Sequence, residues 1–270
     1  MPAQALSNLP SLAEEIFDLA RPLAPERAEA AAAEAREVAQ NSRRPARERA
    51  GAWHLLEIIA QRRGNPEEAL SAARHSLNLA PSHAMQNNVA SHLMDLGQVP
   101  EAVQTLLGLL AVPGNHHFMT LLNLAEGLGL LGLVDDARDA YAEAEGMVAL
   151  DATTDFFVLA RAGAAAGFNQ EALAHFARFV ALRVGASQTS SPVALIQTHR
   201  EEVAIILSER SSLRRLVGMA LRSAETYERL CAQGEAASTP EADAEALRVF
   251  EEMAPYRARA NAAALGHGER

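Results

Sequence analysis

Nine histidines are the most obvious carriers of chemistry in this 270-residue chain. Six of them fall between positions 54 and 117: His54, His75, His83, His92, His116 and His117. A helical metal site wants imidazoles four residues apart on one face, with an acid nearby. No two histidines here have that spacing, and His116-His117 are adjacent at a turn, so their side chains point apart. A histidine-dependent metal enzyme would need His54, His92 or His116 to converge from different helices. We therefore expect no metal and no cofactor.

The remaining chemical groups are equally sparse. The acids of Glu67-Glu68, Asp135-Asp136 and Glu201-Glu202 are adjacent in sequence, and neighbours on a helix do not face each other. The first two open helices, where acids favour the dipole. Cys231 is alone. It can form no internal disulfide and no multi-cysteine metal site, and it reads as a small packing residue. Ser190-Ser191 and Ser211-Ser212 read as loop and helix cap, not as a nucleophile elbow. Gly127, Gly129 and Gly132 follow no strand, so they do not form a phosphate loop. All 24 basic residues are Arg, which rules out Schiff-base and phosphate-loop lysines. We expect no catalytic residues.

What must position any working surface is a periodic set of helices. Four turns share one pattern: Gly64 to Ala69, Gly97 to Ala102, Gly132 to Ala137 and Gly167 to Ala172. Each reads Gly, three linking residues, an acid, then Ala. The alanines lie 33, 35 and 35 residues apart, a period that marks stacked helical repeats. Before Gly64, Trp53, Leu56 and Ile59-Ala60 form an apolar helical stripe. After it, Asn65 caps the next helix and Pro66 takes its first position. Trp53, Leu56, Gly64, Ala69 and Pro81 resemble the tetratricopeptide repeat. Leu124, Gly132, Ala137, Tyr141 and Ala144 carry the pattern again, as do Leu159, Gly167, Ala172 and Phe176. The small residue at the eighth position is Ala90, Ala125 and Ala160 in three units but Glu57 in the first. The resemblance covers about half of the chain and implies an all-α, right-handed α-solenoid.

The expected organisation is an N-terminal helical cap over 1–45, four repeats over 46–185, and a helical C-terminal module with its tail over 186–270. The cap holds one helix from Ser11 to Ala20 and a second from Glu26 to Gln40. The module holds a helix from Pro192 to Glu209, another from Ser211 or Ser212 to Gln233, a connector over 234–240, and a last helix from Glu241 to about Ala264. Leu247, Phe250 and Met253 lie on one face of that last helix and are suited to fold back on the array. The net charge of −10 argues against nucleic acid as a partner. No window of the sequence looks like a membrane span or a secretory signal, so the expected setting is cytoplasmic.

The resemblance also implies a concave groove lined by the first helix of each repeat, and it places the working residues there. They are His54 and Arg62, then Asn87, Asn88 and Ser91, then Asn123 and Glu126, and finally Phe157 and Arg161. These positions are expected to be exposed. Asn88 and Asn123 share a repeat position, and asparagine offers both donor and acceptor to a peptide backbone. Leu55 and Val158 fill that position in the flanking units, which limits the ladder to two rungs. The expected function is a non-catalytic scaffold or adaptor holding a peptide or helix of a partner protein, with self-association open. Two alternatives stand beside it. One is an accessory or substrate-recruiting subunit of a glycosyltransferase-, sulfotransferase- or oxygenase-type system. The other is the histidine-dependent metal enzyme above.

Overall fold

The four glycines that announce the repeat close four helix ends in the same left-handed backbone conformation. Gly64, Gly97, Gly132 and Gly167 have φ of 69°, 74°, 75° and 84°. This left-handed conformation suits a residue without Cβ. At the first corner, Gly64 N–H donates to the Gln61 carbonyl at 2.9 Å and Asn65 N–H to that of Ala60 at 3.0 Å. These are the two bonds of a Schellman cap, which satisfy carbonyls left over at a helix C-terminus. The same pair recurs as Gly97 to Met94 with Gln98 to Leu93, and as Gly132 to Gly129 with Leu133 to Leu128.

The computed structural model describes residues 25–112, 117–149, 152–186, 191–207, 212–222 and the single residue Arg248. Among them every regular element is a helix. The expected helices over 11–20 and 241–264, the connector, Cys231 and His116 lie outside the described residues. The chain divides into two compact units, Met1–His116 and His117–Arg270, parting between the second repeat and the third.

In the first unit, α1 (Pro25–Gln40) precedes two helix pairs. The first pair is α2 (Ala46–Arg62) and α3 (Pro66–Leu79), and the second is α4 (His83–Asp95) and α5 (Val99–Leu110). Asn65 starts α3 by accepting from Glu68 N–H at 3.2 Å, with Pro66 next in line. Ser82 starts α4 by accepting from Met85 N–H at 3.2 Å. Alanine lets the helices approach closely: Ala32, Ala35, Ala69, Ala73, Ala90 and Ala102 are wholly enclosed. Ser76 is buried and donates its hydroxyl to the Ala50 carbonyl at 2.9 Å. Trp53 is half-buried and stacks on His75, with ring centroids 4.4 Å apart.

In the second unit the pairs are α6 (Phe118–Leu130) with α7 (Val134–Glu145), and α8 (Thr153–Ala165) with α9 (Asn169–Val184). Tyr141 and Phe176, equivalent in sequence, are both core residues. The Tyr141 hydroxyl donates to the Leu159 carbonyl at 3.0 Å and rests against Gly163, where a Cβ would stand 2.8 Å from the phenolic oxygen.

The single helix expected from Pro192 to Glu209 is instead two: α10 (Pro192–Thr198) and α11 (Arg200–Ile206). His199 leaves helical geometry at φ −104°, ψ 32°. The preceding Thr198 returns its hydroxyl to the Ala194 carbonyl at 2.8 Å, a back-bond that bends helices. The next helix, α12 (Ser212–Arg222), starts where the serines predict. Val193, Ile196, Val203, Leu213, Leu216 and Val217 are enclosed in this part of the unit.

Candidate functional site

Glu57 stands out in the first unit. The eighth position of a repeat is fully enclosed: Ala90, Ala125 and Ala160 are all 0% exposed. Glu57 occupies that position in the first repeat and is 1% exposed. Burying a carboxylate is costly unless hydrogen bonds replace its water. Here they do. One oxygen accepts from His92 Nε2 at 2.8 Å, and the other meets His54 Nδ1. Asn88 Nδ2 reaches both oxygens, at 3.2 and 3.3 Å.

Helix spacing explains the convergence. His54 lies one turn before Glu57 on α2. Asn88 and His92 are four residues apart on α4 and so share a face. Asp95 continues that face, with its carboxylate 3.6 Å from His92 Nδ1. That is an ion-pair distance, too long for a hydrogen bond. The result is a chain of alternating groups, Asp95–His92–Glu57–His54, running from an exposed acid through two enclosed residues to a half-buried imidazole.

The electrostatics follow from these contacts. Burial pushes Glu57 upward, but the hydrogen bonds and charges of His54 and His92 outweigh it and hold the carboxyl below its usual range. Burial pushes His92 downward, but Asp95 and Glu57 outweigh it and lift the imidazole to about 9. At neutral pH, Glu57 is therefore a carboxylate and His92 an imidazolium. The carboxylate also fixes the Asn88 amide, because only the NH2 end can face two anionic oxygens. Its carbonyl oxygen is turned away from Glu57.

The other sequence-derived residues divide by exposure. Arg62 and Ser91 are half-buried in the first unit, as are Glu126 and Arg161 in the second. Asn87, Asn123 and Phe157 were expected to be exposed and are not: they are 6%, 9% and 9% exposed. The cause is the breadth of the covered helix face. Thr120 to Ala125 are all buried on α6, which takes Asn123 with them. Phe157 packs on Phe179 at 5.0 Å between centroids. The equivalence of Asn88 and Asn123 in sequence is thus not an equivalence of environment: one is tied to a carboxylate in the first unit, the other enclosed in the second. Glu57 and His92 were missed as functional partners. The signal was a charge at a position that the other three repeats give to alanine.

A second titratable cluster ties α7 to α8 and α9. His175 Nε2 lies 3.2 Å from a Glu145 carboxylate oxygen, and burial pushes its imidazole down. Burial raises Tyr141 far above the ordinary phenol range. Arg138 binds Glu171 at 2.7 Å and covers the Phe168 ring. Among the described residues no group of three His, Cys, Asp or Glu is arranged to hold a metal ion. None of the described helices is long and apolar enough to cross a membrane.

With this geometry in hand, the chain can be set beside known proteins. No family model and no curated protein matches it. Among solved structures it is similar to PilW, a widely conserved type IV pilus biogenesis factor, at 18% identity and a TM-score of 0.51, covering 86% of this chain and 93% of that one. It is also similar to a putative kinesin light chain with nearly identical TPR-like repeats from Podosopora anserina, at 20% identity and a TM-score of 0.44, covering 70% and 99%. The fold is that of the tetratricopeptide-repeat α-solenoids.

Proposed function

We propose that the repeats are a non-catalytic interaction module, with the first-helix faces receiving a peptide or helix of a partner protein. The observation that carries this reading is the Glu57 centre. Three sister positions fill the same space with alanine, so packing alone does not call for a carboxylate. What the carboxylate adds is order at the surface. It holds the half-buried His54 and Asn88 in one orientation each. Polar groups fixed in advance bind with less loss of side-chain freedom. Arg62 and Ser91 stand at the same face of the first unit, and the second unit offers Glu126 and Arg161 at the corresponding register.

The test is capture of partners from the native cell on the full chain, followed by measured affinities. Ser91→Arg places a bulky cation on this face of α4 without removing any bond to Glu57. It should weaken a captured partner by about tenfold or more, near 1.4 kcal/mol, with the melting temperature unchanged. Undiminished affinity in that variant would sink the assignment of the face.

A further inference from the structure

The four helix corners are alike in backbone but not in surface. Beside Gly64 stand the exposed Arg63 and Asn65, and beside Gly97 the exposed Asp95 and Gln98. Beside Gly167, Phe168 is tucked away at 3% exposure. Around Gly132 the pattern reverses. Leu130, Leu131, Leu133 and Val134 are all large and apolar, and they are 53%, 41%, 46% and 52% exposed. Single exposed apolar residues are ordinary; four together on one corner mark an interaction surface.

This corner is held rigidly. Leu131, Gly132 and Leu133 N–H groups are all bonded back into α6, at 3.1, 2.9 and 2.9 Å. Gly129 lies so close to Ala166 that an added Cβ would stand 3.0 Å from its Cα. The apolar side chains are therefore presented on a fixed turn between two packed helices.

Charge around the corner selects the occupant. Asp135, Asp136 and Asp139 are exposed where α7 begins. The cation among them, Arg138, is already engaged by Glu171 and the Phe168 ring. A second copy of this chain would bring the same three acids against each other, on a protein of net charge −10. An anionic bilayer meets the same objection. We propose that the α6–α7 corner is a docking surface for a short basic amphipathic segment of another protein, whose apolar side chains cover the leucines and whose Arg or Lys residues meet the aspartates. This surface is separate from the first-helix face and does not depend on it.

The test uses the full chain and a labelled 18-residue helical peptide of leucine and lysine in amphipathic order, with a leucine–glutamate peptide as its charge-reversed counterpart. Fluorescence anisotropy should show the lysine peptide binding and the glutamate peptide failing to bind. Leu131→Ser with Val134→Ser should weaken the lysine peptide by about tenfold or more. Leu130→Gln, a single change at the most exposed of the four, should also weaken it and serves if the double variant folds poorly. Asp135→Asn with Asp136→Asn should weaken binding and flatten its salt dependence. Three results would overturn the proposal: no binding of the lysine peptide, equal binding to wild type and the leucine variants, or equal binding of both peptides. Sedimentation velocity supplies a fourth, a wild-type dimer that the leucine variants dissociate, which would give the patch to a second copy.

Discussion

Replacing Glu57 by alanine restores the residue that the other three repeats carry, yet it should damage the protein. The replacement takes away the anion that faces His92 Nε2 at 2.8 Å, in a place where that imidazole is 1% exposed. His92 then has only Asp95 to favour its charge, while burial opposes it. The size of the effect follows from the folded protein. Asp95 and Glu57 together lift His92 from 6.5 to about 9, which corresponds to roughly 3 kcal/mol at ~1.36 kcal/mol per pH unit and sets the ceiling for what His92 gains from Glu57. Removal of one member of a buried pair costs about 3–5 kcal/mol in other proteins, which agrees. For a chain of this size, ~3 kcal/mol is about 6–12 °C in melting temperature. Denaturant melts at neutral pH measure the loss, and an NMR titration of His92 measures its cause: the imidazole should fall from about 9. Glu57→Ala combined with His92→Leu removes both charges, and it should lie within about 1 kcal/mol of wild type, because an apolar pair can replace a buried ion pair at little cost. The reasoning is refuted if Glu57→Ala alone is as stable as wild type while His92 still titrates near 9.

The same pair sets a pH profile. His92 binds its proton more tightly in the folded chain, so its contribution is whole below pH 6.5 and is lost as pH rises through about 9. Glu57 is held below its usual range, so its contribution is present above 4.5 and is lost as pH falls through its lowered folded value. Melts of wild type should show a plateau near pH 5–6.5 and a decline towards 9 that the Glu57→Ala, His92→Leu double variant lacks. In the second unit, Gly163→Ala should cost about 1–3 kcal/mol through overpacking, because the new methyl meets Tyr141 Oη at 2.8 Å and Ala172 Cβ at 3.2 Å. A denaturant melt reads that loss directly.

The repeat architecture was legible because its signals are local. A left-handed glycine, an asparagine cap and a following proline act within a few residues, and Gly64, Asn65 and Pro66 do what their types predict. The break at His199 was not legible, since it depends on where the Thr198 hydroxyl turns. Exposure was misjudged for Asn87, Asn123 and Phe157 because helical register gives a direction, not how much of the helix a neighbour covers. The Glu57 centre lay between these cases. The departure from alanine was visible, but its partners on α4 lie 31 and 35 residues away. Only the packing of one repeat on the next brings a carboxylate, two imidazoles and an amide to one point.

Repeats built on one pattern present similar contact surfaces to one another. Alanine at the eighth position is indifferent to which of them it meets, since any sister helix accepts it. Glu57 is not indifferent. Its full set of partners is found only on α4: Asn123 repeats Asn88 in the third repeat, but Gly127 and Ala162 stand where the register has His92. The contact between α2 and α4 is therefore matched group for group, where the alanine contacts are matched only in size.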